Sequence, residues 1–462
     1  MEKLAAAAPR MPPINIMMLA AVLRNNGFEV QIYDAENRPL EADDLARRAV
    51  DWGARYVGLS TVTPTIHKAS EVARAVKALD PTVVTIAGGV HASAVPDETM
   101  AVMPEFDVMV RGEGEETLLE LLSVMEGNAG ADSTTGLEKV DGISFRRGGE
   151  VIKNRRRAGI EDLDKIPYPA WDMLDGMPHY YRPAAVAYRQ LPSTILITSR
   201  GCPAHCVFCG SRNVYGTTAR CHSPEYVLGM IDTLQDRYGV KDFAIYDDTF
   251  LTYPERVHRI CDALIASGKN ITWSAYSRVD TIYPDLVLKM KAAGCWLINF
   301  GVESGSQRIL DLIRKEVTLE QIHRALQTTR DAGIRCRGFF MVGHPGETEE
   351  TMKETVGFLN RLPLDDFHVT FFTPLPGSPS WKMAPQYGQM ETDWSKLTVM
   401  KPTYFPHGLD EQILRKYQRY AYRSFYFSPK RLFSYGKLFA TSRHKARFFR
   451  GGWAVMRTAF SF

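Results

Sequence analysis

Short β-branched runs alternate with amphipathic stretches along most of this 462-residue chain. That alternation restricts it to parallel α/β architecture, because parallel neighbours need a long and usually helical crossover. Two blocks carry the pattern. In residues 13–126 the spacing predicts helix Ile14–Asn25 and strands Phe28–Tyr33, Tyr56–Ser60, Thr82–Ala87 and Asp107–Val110. Each strand ends in a polar or glycine-bearing turn: Asp34-Ala35, Ser60-Thr61-Val62-Thr63, Gly88-Gly89-Val90-His91 and Arg111-Gly112-Glu113-Gly114-Glu115. In an open parallel sheet these ends share one edge, where ligands bind. Such a sheet should begin with a strand, yet Met1–Arg10 is alanine-rich without β pattern, so the start reads as either a degenerate first strand or a truncated chain. The second block repeats strand then helix at Thr194–Thr198, Asp242–Tyr246, Thr272–Ser274, Trp296–Gly301, Arg335–Val342 and His368–Thr373. This predicts a closed or partly open barrel with its chemistry at the carboxyl ends of the strands. Between the blocks lie a hairpin over Gly142–Lys153, turning at Gly148-Gly149, and the proline-stiffened Ile166-Pro167-Tyr168-Pro169. The expected divisions are 1–132, 133–185, 186–385 and 386–462.

With 45% hydrophobic and 24% charged residues, the chain is neither disordered nor collagen-like. No apolar run approaches the ~20 residues that span a bilayer, and MEKLAAAAPR lacks a secretory apolar stretch, so a cytoplasmic location is expected. The net charge of +3 conceals a division. Gln412–Phe462 carries 12 Lys/Arg, 14 aromatic residues and no acidic residue, leaving −9 on the first 411 positions. Three readings suit this tail: a helical extension packing its aromatics on the acidic body, an interfacial helix peripheral to the inner membrane surface, or a nucleic-acid contact. The acidic body opposes the last.

Three of the seven cysteines, Cys202, Cys206 and Cys209, crowd into a loop just after a predicted strand. In a cytosolic chain such clustering argues for metal over disulfides. Thiolates at this spacing can converge on one iron–sulfur cubane, which usually takes four cysteines, so one iron would stay open. A structural zinc site completed by His205 or Cys221 is the alternative. Isolated Cys261, Cys295 and Cys336 read as small buried apolar residues, as does Cys221 outside the zinc reading.

The Cys-x3-Cys-x2-Cys run, with Phe208 before its last cysteine, resembles the radical S-adenosylmethionine (SAM) superfamily. The resemblance implies a [4Fe-4S] cluster on Cys202, Cys206 and Cys209. Its open iron would chelate the amino and carboxylate groups of SAM, and one-electron reduction would yield a 5′-deoxyadenosyl radical. An external reductant such as flavodoxin or ferredoxin follows. Further SAM-binding residues are implied at strand ends. Asp248 would receive the ammonium, Arg278 the carboxylate, and Glu303 or Ser304 the ribose, while Gly343 and Gly346 would admit the adenine; Phe208 belongs to the same set.

The first block resembles the cobalamin-binding domain fused to many such enzymes, a flavodoxin-like parallel sheet whose first strand is here either degenerate or truncated. Ser60, Thr63, Gly88, Gly89, His91, Gly112, Glu113, Gly114 and Glu115 are the implied cobalamin-binding residues. There is no Asp-x-His-x-x-Gly run, which implies cobalamin whose lower face that histidine does not ligate. Ile166-Pro167-Tyr168-Pro169-Ala170-Trp171 and Pro374-Leu375-Pro376-Gly377-Ser378 extend the likeness to the B12-binding radical SAM group that includes anaerobic magnesium-protoporphyrin ester cyclases and hopanoid-modifying enzymes. The implied fold is this α/β sheet, a partial (β/α)6 TIM-like barrel and a helical C-terminal extension. The implied activity is methylation, cyclisation or rearrangement of an unactivated carbon of an apolar small molecule such as a lipid, isoprenoid or tetrapyrrole-like compound. Two other readings stand beside it: a radical SAM enzyme with a vestigial, cofactor-free first domain, and a metal-bearing protein that binds lipid or nucleic acid.

Overall fold

In the computed structural model, which describes residues 9–128, 134–184, 186–428, 431, 456, 459 and 460, the chain enters through helix α1 (Ile14–Asn25) and α2 (Ala42–Asp51). Strand β1 (Tyr56–Ser60), α3 (Ile66–Leu79), β2 (Val84–Gly88), α4 (Val90–Ala94), α5 (Pro96–Val102), β3 (Val108–Val110) and α6 (Gly114–Gly127) follow, then a hairpin of β4 (Ile143–Arg147) and β5 (Glu150–Lys153). The sheet order is β1-β2-β3-β4-β5, with the first three strands parallel. The hairpin expected in the connector adds antiparallel to β3, so it completes the first sheet. Its Ile143 and Phe145 share a buried cluster with Val108, Val110 and Leu121, which sets that register.

Phe28–Tyr33 is a correction, for among the described residues it forms no ladder and carries no regular secondary structure. Its alternation is strand-like, since Phe28, Val30 and Ile32 pack on apolar neighbours while Glu29 and Gln31 face solvent. Pairing needs a partner, however, and among the described residues β1 pairs with β2 alone. The expectation of a degenerate or truncated first strand concerns Met1–Arg10, of which residues 1–8 lie outside the described residues.

The second sheet contains β6 (Ser193–Leu196), β9 (Asp242–Ile245), β10 (Thr272–Ser277), β11 (Cys295–Glu303), β12 (Arg335–Val342) and β13 (Asp366–Phe371), with β7 (Ser199–Arg200) and β8 (Arg220–Cys221) forming a separate ribbon. All six strands are parallel in that order, and among the described residues nothing pairs β6 with β13, so the barrel is partial. Its helices are α7 (Ser211–Tyr215), α8 (Pro224–Tyr238), α9 (Pro254–Ala266), α10 (Pro284–Ala292), α11 (Gln307–Leu312), α12 (Leu319–Asp331) and α13 (Glu349–Arg361). Ser223 caps α8 by accepting from the Tyr226 N–H at 3.0 Å, and Pro224 fills the first helical position, where a missing N–H costs nothing.

Beyond β13 come α14 (Pro379–Met383), an antiparallel pair β14 (Gly388–Met390) and β15 (Tyr404–Pro406), and α15 (Glu411–Tyr426). Helix α15 buries Leu414, Tyr417, Ala421, Tyr422 and Phe425, and Gln418 Nε2 donates to the Val369 carbonyl at 2.9 Å. It therefore covers part of the outer edge of β13, where the Phe371 N–H also donates to the Val399 carbonyl at 2.9 Å, and this is the packing reading of the tail. Its outward cations are partly paired within the protein, Arg415 with Glu411 at 2.6 Å and Lys416 with Glu349 at 3.2 Å. Most of the tail after Ser428 lies outside the described residues. No helix among the described residues is long and apolar enough to cross a membrane.

Candidate active site

The cysteine loop leaves β6 under the control of one buried carboxylate. Asp247, at the end of β9, accepts from the Thr198 N–H and Thr198 Oγ1 at 2.6 Å each and from Ser199 Oγ at 2.7 Å. Burial pushes its carboxyl up from the usual range, against Arg256 and these donors. Gly201 then turns at φ 82°, where a Cβ would collide with the Thr218 carbonyl. Past it the loop is pinned on both sides: the Val207 N–H donates to Ile313 O at 3.0 Å, and Ser380 N–H to Val207 O at 2.9 Å.

Cys206 is buried and Cys202 and Cys209 are half-buried. Arg278 Nη1 stands 3.7 Å from Cys206 Sγ, while the same guanidinium holds Asp280 at 2.9 Å and Lys315 O at 3.0 Å. Burial pushes the Cys209 thiol up to about 11 and raises Cys202, with Asp248 and the neighbouring thiols adding to each. A bound metal reverses that balance by deprotonating its thiol ligands. His205 is exposed and faces Glu316 at 3.7 Å, whereas Cys221 sits in the β7–β8 ribbon opposite Ser199. Among the described residues no three Cys, His, Asp or Glu side chains gather closely enough for a single ion. A soft, all-thiol donor set beside a cation suits an iron–sulfur cluster, whose cubane spreads its ligands further apart.

Other expected SAM residues divide. Asp248 is exposed beside the loop and accepts from Ser211 Oγ. Glu303 ends β11 at φ 68° and pairs with Lys315 at 3.0 Å. Ser304 is instead fully buried against Thr355 Oγ1 at 3.1 Å, so it fastens β11 to α13 and faces no ribose. Gly343 and Gly346, at φ 89° and 71°, wrap a turn round Glu347, whose Oε2 accepts from the Gly343 and His344 N–H groups. Burial pushes Glu347 up to about 8 and His344 down to about 4. Phe208 packs with Phe372, Ala384 and Tyr404. Sequence reasoning missed Asp247, Lys315 and Glu347. Non-glycine residues Glu303, Arg314 and Glu316 all have positive φ (68°, 51° and 57°), and they flank the Ile313 anchor of the loop. Backbone strain of this kind concentrates at functional sites.

At the first sheet's carboxyl edge, Ser60 is exposed and Gly88 lies beside Val110. Gly89 turns at φ 101° against the Thr61 backbone, and the Gly112 N–H donates to Ser93 Oγ at 2.9 Å. Gly114 packs on Leu19. His91 is a correction. Fully buried, it bonds Thr63 Oγ1 at 3.2 Å and Thr99 Oγ1 at 3.0 Å, and Trp394 meets its ring edge-on at 4.6 Å. Both ring nitrogens are occupied, Thr63 is occupied with it, and burial pushes His91 down to about 4. Glu113 and Glu115 are corrections too, because they turn away from the edge to bind Arg200 and Arg220. Beside exposed Ser60 the edge also presents apolar side chains, with Val62 47% and Val90 40% exposed. Uncovered valines beside small glycine turns fit the flat face of a corrin better than a lone histidine would.

The two edges meet. Gly112 faces the Val214 carbonyl of α7, a Cβ on Gly377 would touch Ala94 of α4 and Asn213, and Arg156 Nη2 donates to Asn213 O at 3.2 Å. Helix α7 directly follows Cys209, so the strand ends of the first sheet lie against the segment that carries the thiols.

Residues 4–122 match the family model for the B12 binding domain and residues 196–359 that for the radical SAM superfamily. An uncharacterized methyltransferase of Pyrococcus horikoshii is 34% identical over 421 residues, covering 91% of this chain and 88% of that protein. The anaerobic magnesium-protoporphyrin IX monomethyl ester cyclase of Rubrivivax gelatinosus is 28% identical over 428 residues, covering 90% and 75%. The fold is shared with the cobalamin-dependent SAM radical enzyme OxsB, solved with aqua-cobalamin and SAM bound, at TM-score 0.74 and 19% identity over 95% of this chain and 69% of that one. The chain belongs to the radical SAM enzymes that carry an N-terminal B12-binding domain.

Proposed function

We propose that this enzyme cleaves SAM reductively and uses the resulting radical to methylate, cyclise or rearrange an unactivated carbon of an apolar small molecule. The observation that carries the reading is the meeting of the two strand-end edges across α7. When bound there, a [4Fe-4S] cluster would supply the electron that splits SAM, and cobalamin a transferable methyl group. Cys202, Cys206 and Cys209 would hold the cluster; Arg278 would offer a guanidinium to the SAM carboxylate, Asp248 a carboxylate to its ammonium, and Glu303 an acceptor to its ribose. Val62, Val90, Gly89 and Gly112 would admit the corrin face.

The inner face of the second sheet supports an apolar substrate. Tyr246 lies 4.9 Å from Tyr276, which stacks on Phe339 at 5.8 Å, and the His368 ring follows at 6.3 Å. Two residues earlier on these strands, Arg337 and Asp366 pair at 2.8 Å, with Asn299 opposite Arg337. An apolar wall with few, fixed polar groups is the usual build of a small-molecule site. An external one-electron reductant belongs to the proposal, as does peripheral contact of the basic tail with an anionic membrane surface, which its composition supports.

The test is anaerobic incubation of the reconstituted protein, purified from B12-supplied cells, with methyl-labelled SAM and a lipid extract. Bound cobalamin by absorbance and label in an apolar product support methylation, and deoxyadenosine with an unlabelled altered product supports cyclisation or rearrangement. Protein that binds no cobalamin yet makes product refutes the cofactor assignment.

A further inference from the structure

The residues on either side of the cysteine loop are tied to the other domain by charge. Arg200 and Arg220 face each other across the β7–β8 ribbon, so the ribbon closes the loop that holds all three thiols. Like charges directly opposite on a ribbon repel. Here both guanidinium groups reach out of the second block to α6, the helix that begins where the first sheet's edge ends. Arg200 Nη1 meets Glu113 Oε1 at 2.7 Å, and its Nη2 meets Glu115 Oε1 at 2.5 Å. Arg220 Nη1 meets Glu113 Oε2 at 2.7 Å, and the Ile160 N–H donates to the same oxygen at 2.9 Å. The side chains of Arg200, Glu113 and Glu115 are 4%, 3% and 8% exposed. Burial alone would depress the Arg200 guanidinium, but Glu115, with Tyr215 and Glu113, outweighs it and raises it.

Stability is a poor reason to keep such a network, since buried ion pairs can often be replaced by apolar groups at no net cost. Geometry is a better one. A forked guanidinium between two carboxylates fixes both distance and angle, as a lysine cannot. Arg200 stands two residues before Cys202, while Glu113 and Glu115 lie just past Gly112, so the network spans from the thiol loop to the edge of the first sheet.

We propose that Arg200 and Arg220, gripped by Glu113 and Glu115, are positioning residues that set the distance between the cysteine loop and the carboxyl edge of the first sheet. The role matters to catalysis through the reading that both edges bind cofactors, but the geometry can be measured without either cofactor.

The experiment uses pulsed dipolar EPR on the full chain. Nitroxides are carried on ketone-bearing residues substituted at Val102 in α5 and Leu288 in α10, which are 65% and 59% exposed, a chemistry that spares the native cysteines. The test variant is Arg200→Met with Glu115→Gln, which removes one charge of each sign and leaves the Glu113–Arg220 pair. The expected result is a narrow distance distribution in the parent and a distribution at least twice as wide, or shifted, in the variant. Arg200→Lys keeps the charge but not the fork, and an intermediate widening is expected; it carries the test alone if the double variant does not fold. Unchanged distributions in folded variants, even with lowered melting temperature, would overturn the proposal. Absence of SAM cleavage by the parent would instead sink the catalytic reading and leave this measurement standing.

Discussion

Arg278 is the residue whose placement says most about the chemistry, because it stands against Cys206 Sγ while its other nitrogens are held by Asp280 and Lys315 O. A hydrogen bond to a charged group is worth about 1.5–3 kcal/mol, so Arg278→Met should raise the KM for SAM about ten- to hundredfold, read from deoxyadenosine formation. Glu347 gives a different test. Its folded pKa of about 8 lies above the ordinary carboxylate value, so the folded state binds the extra proton. That stabilising contribution is complete below the unfolded pKa and is lost as pH rises through 8. Urea denaturation across pH 5–8 should therefore show Glu347→Gln gaining stability over the parent as pH rises, while a pH-independent difference would contradict the buried neutral acid. His344, depressed to about 4, contributes in the opposite sense only between about 4 and 6.5, so the upper half of the range isolates Glu347. At this scale the sequence was only partly legible. The motifs located His91, Glu113, Glu115 and Ser304 in functional turns, but each binds a partner far along the chain: Arg200 is 87 positions from Glu113 and Thr355 is 51 from Ser304. Local pattern carries no record of such pairings.

Elements were read more securely, because period and punctuation are local. Helix Ile14–Asn25 and strands Tyr56–Ser60 and Arg335–Val342 stand where periodicity placed them. Phe28–Tyr33 has the alternation of a strand but finds no neighbour among the described residues, which a strand needs and a helix does not. The tail shows the same limit from the other side, since its composition suited three environments and only the burial of Leu414, Tyr417, Ala421, Tyr422 and Phe425 selects packing for α15. Phe425 is fully buried in that helix, so Phe425→Ala should cost about 3–5 kcal/mol. Tyr420, 52% exposed on the same helix, should change stability by less than about 0.5 kcal/mol as alanine. Chemical denaturation midpoints check both, and equal effects would mean that α15 does not pack as described.

The whole molecule joins two open α/β edges into one catalytic frame, and its +3 charge is the residue of an acidic body and a basic tail, part of which is now a structural helix. The central claim is that Cys202, Cys206 and Cys209 are the centre of SAM cleavage. It is tested most directly by 5′-deoxyadenosine formation from SAM and a strong reductant, using anaerobically reconstituted protein with its iron counted. The parent should hold about four irons per chain, by the cubane cluster type, and release deoxyadenosine. Each of Cys202→Ala, Cys206→Ala and Cys209→Ala should release none. Deoxyadenosine at parental levels from any of these variants, or none from the parent carrying its full iron, would contradict the account.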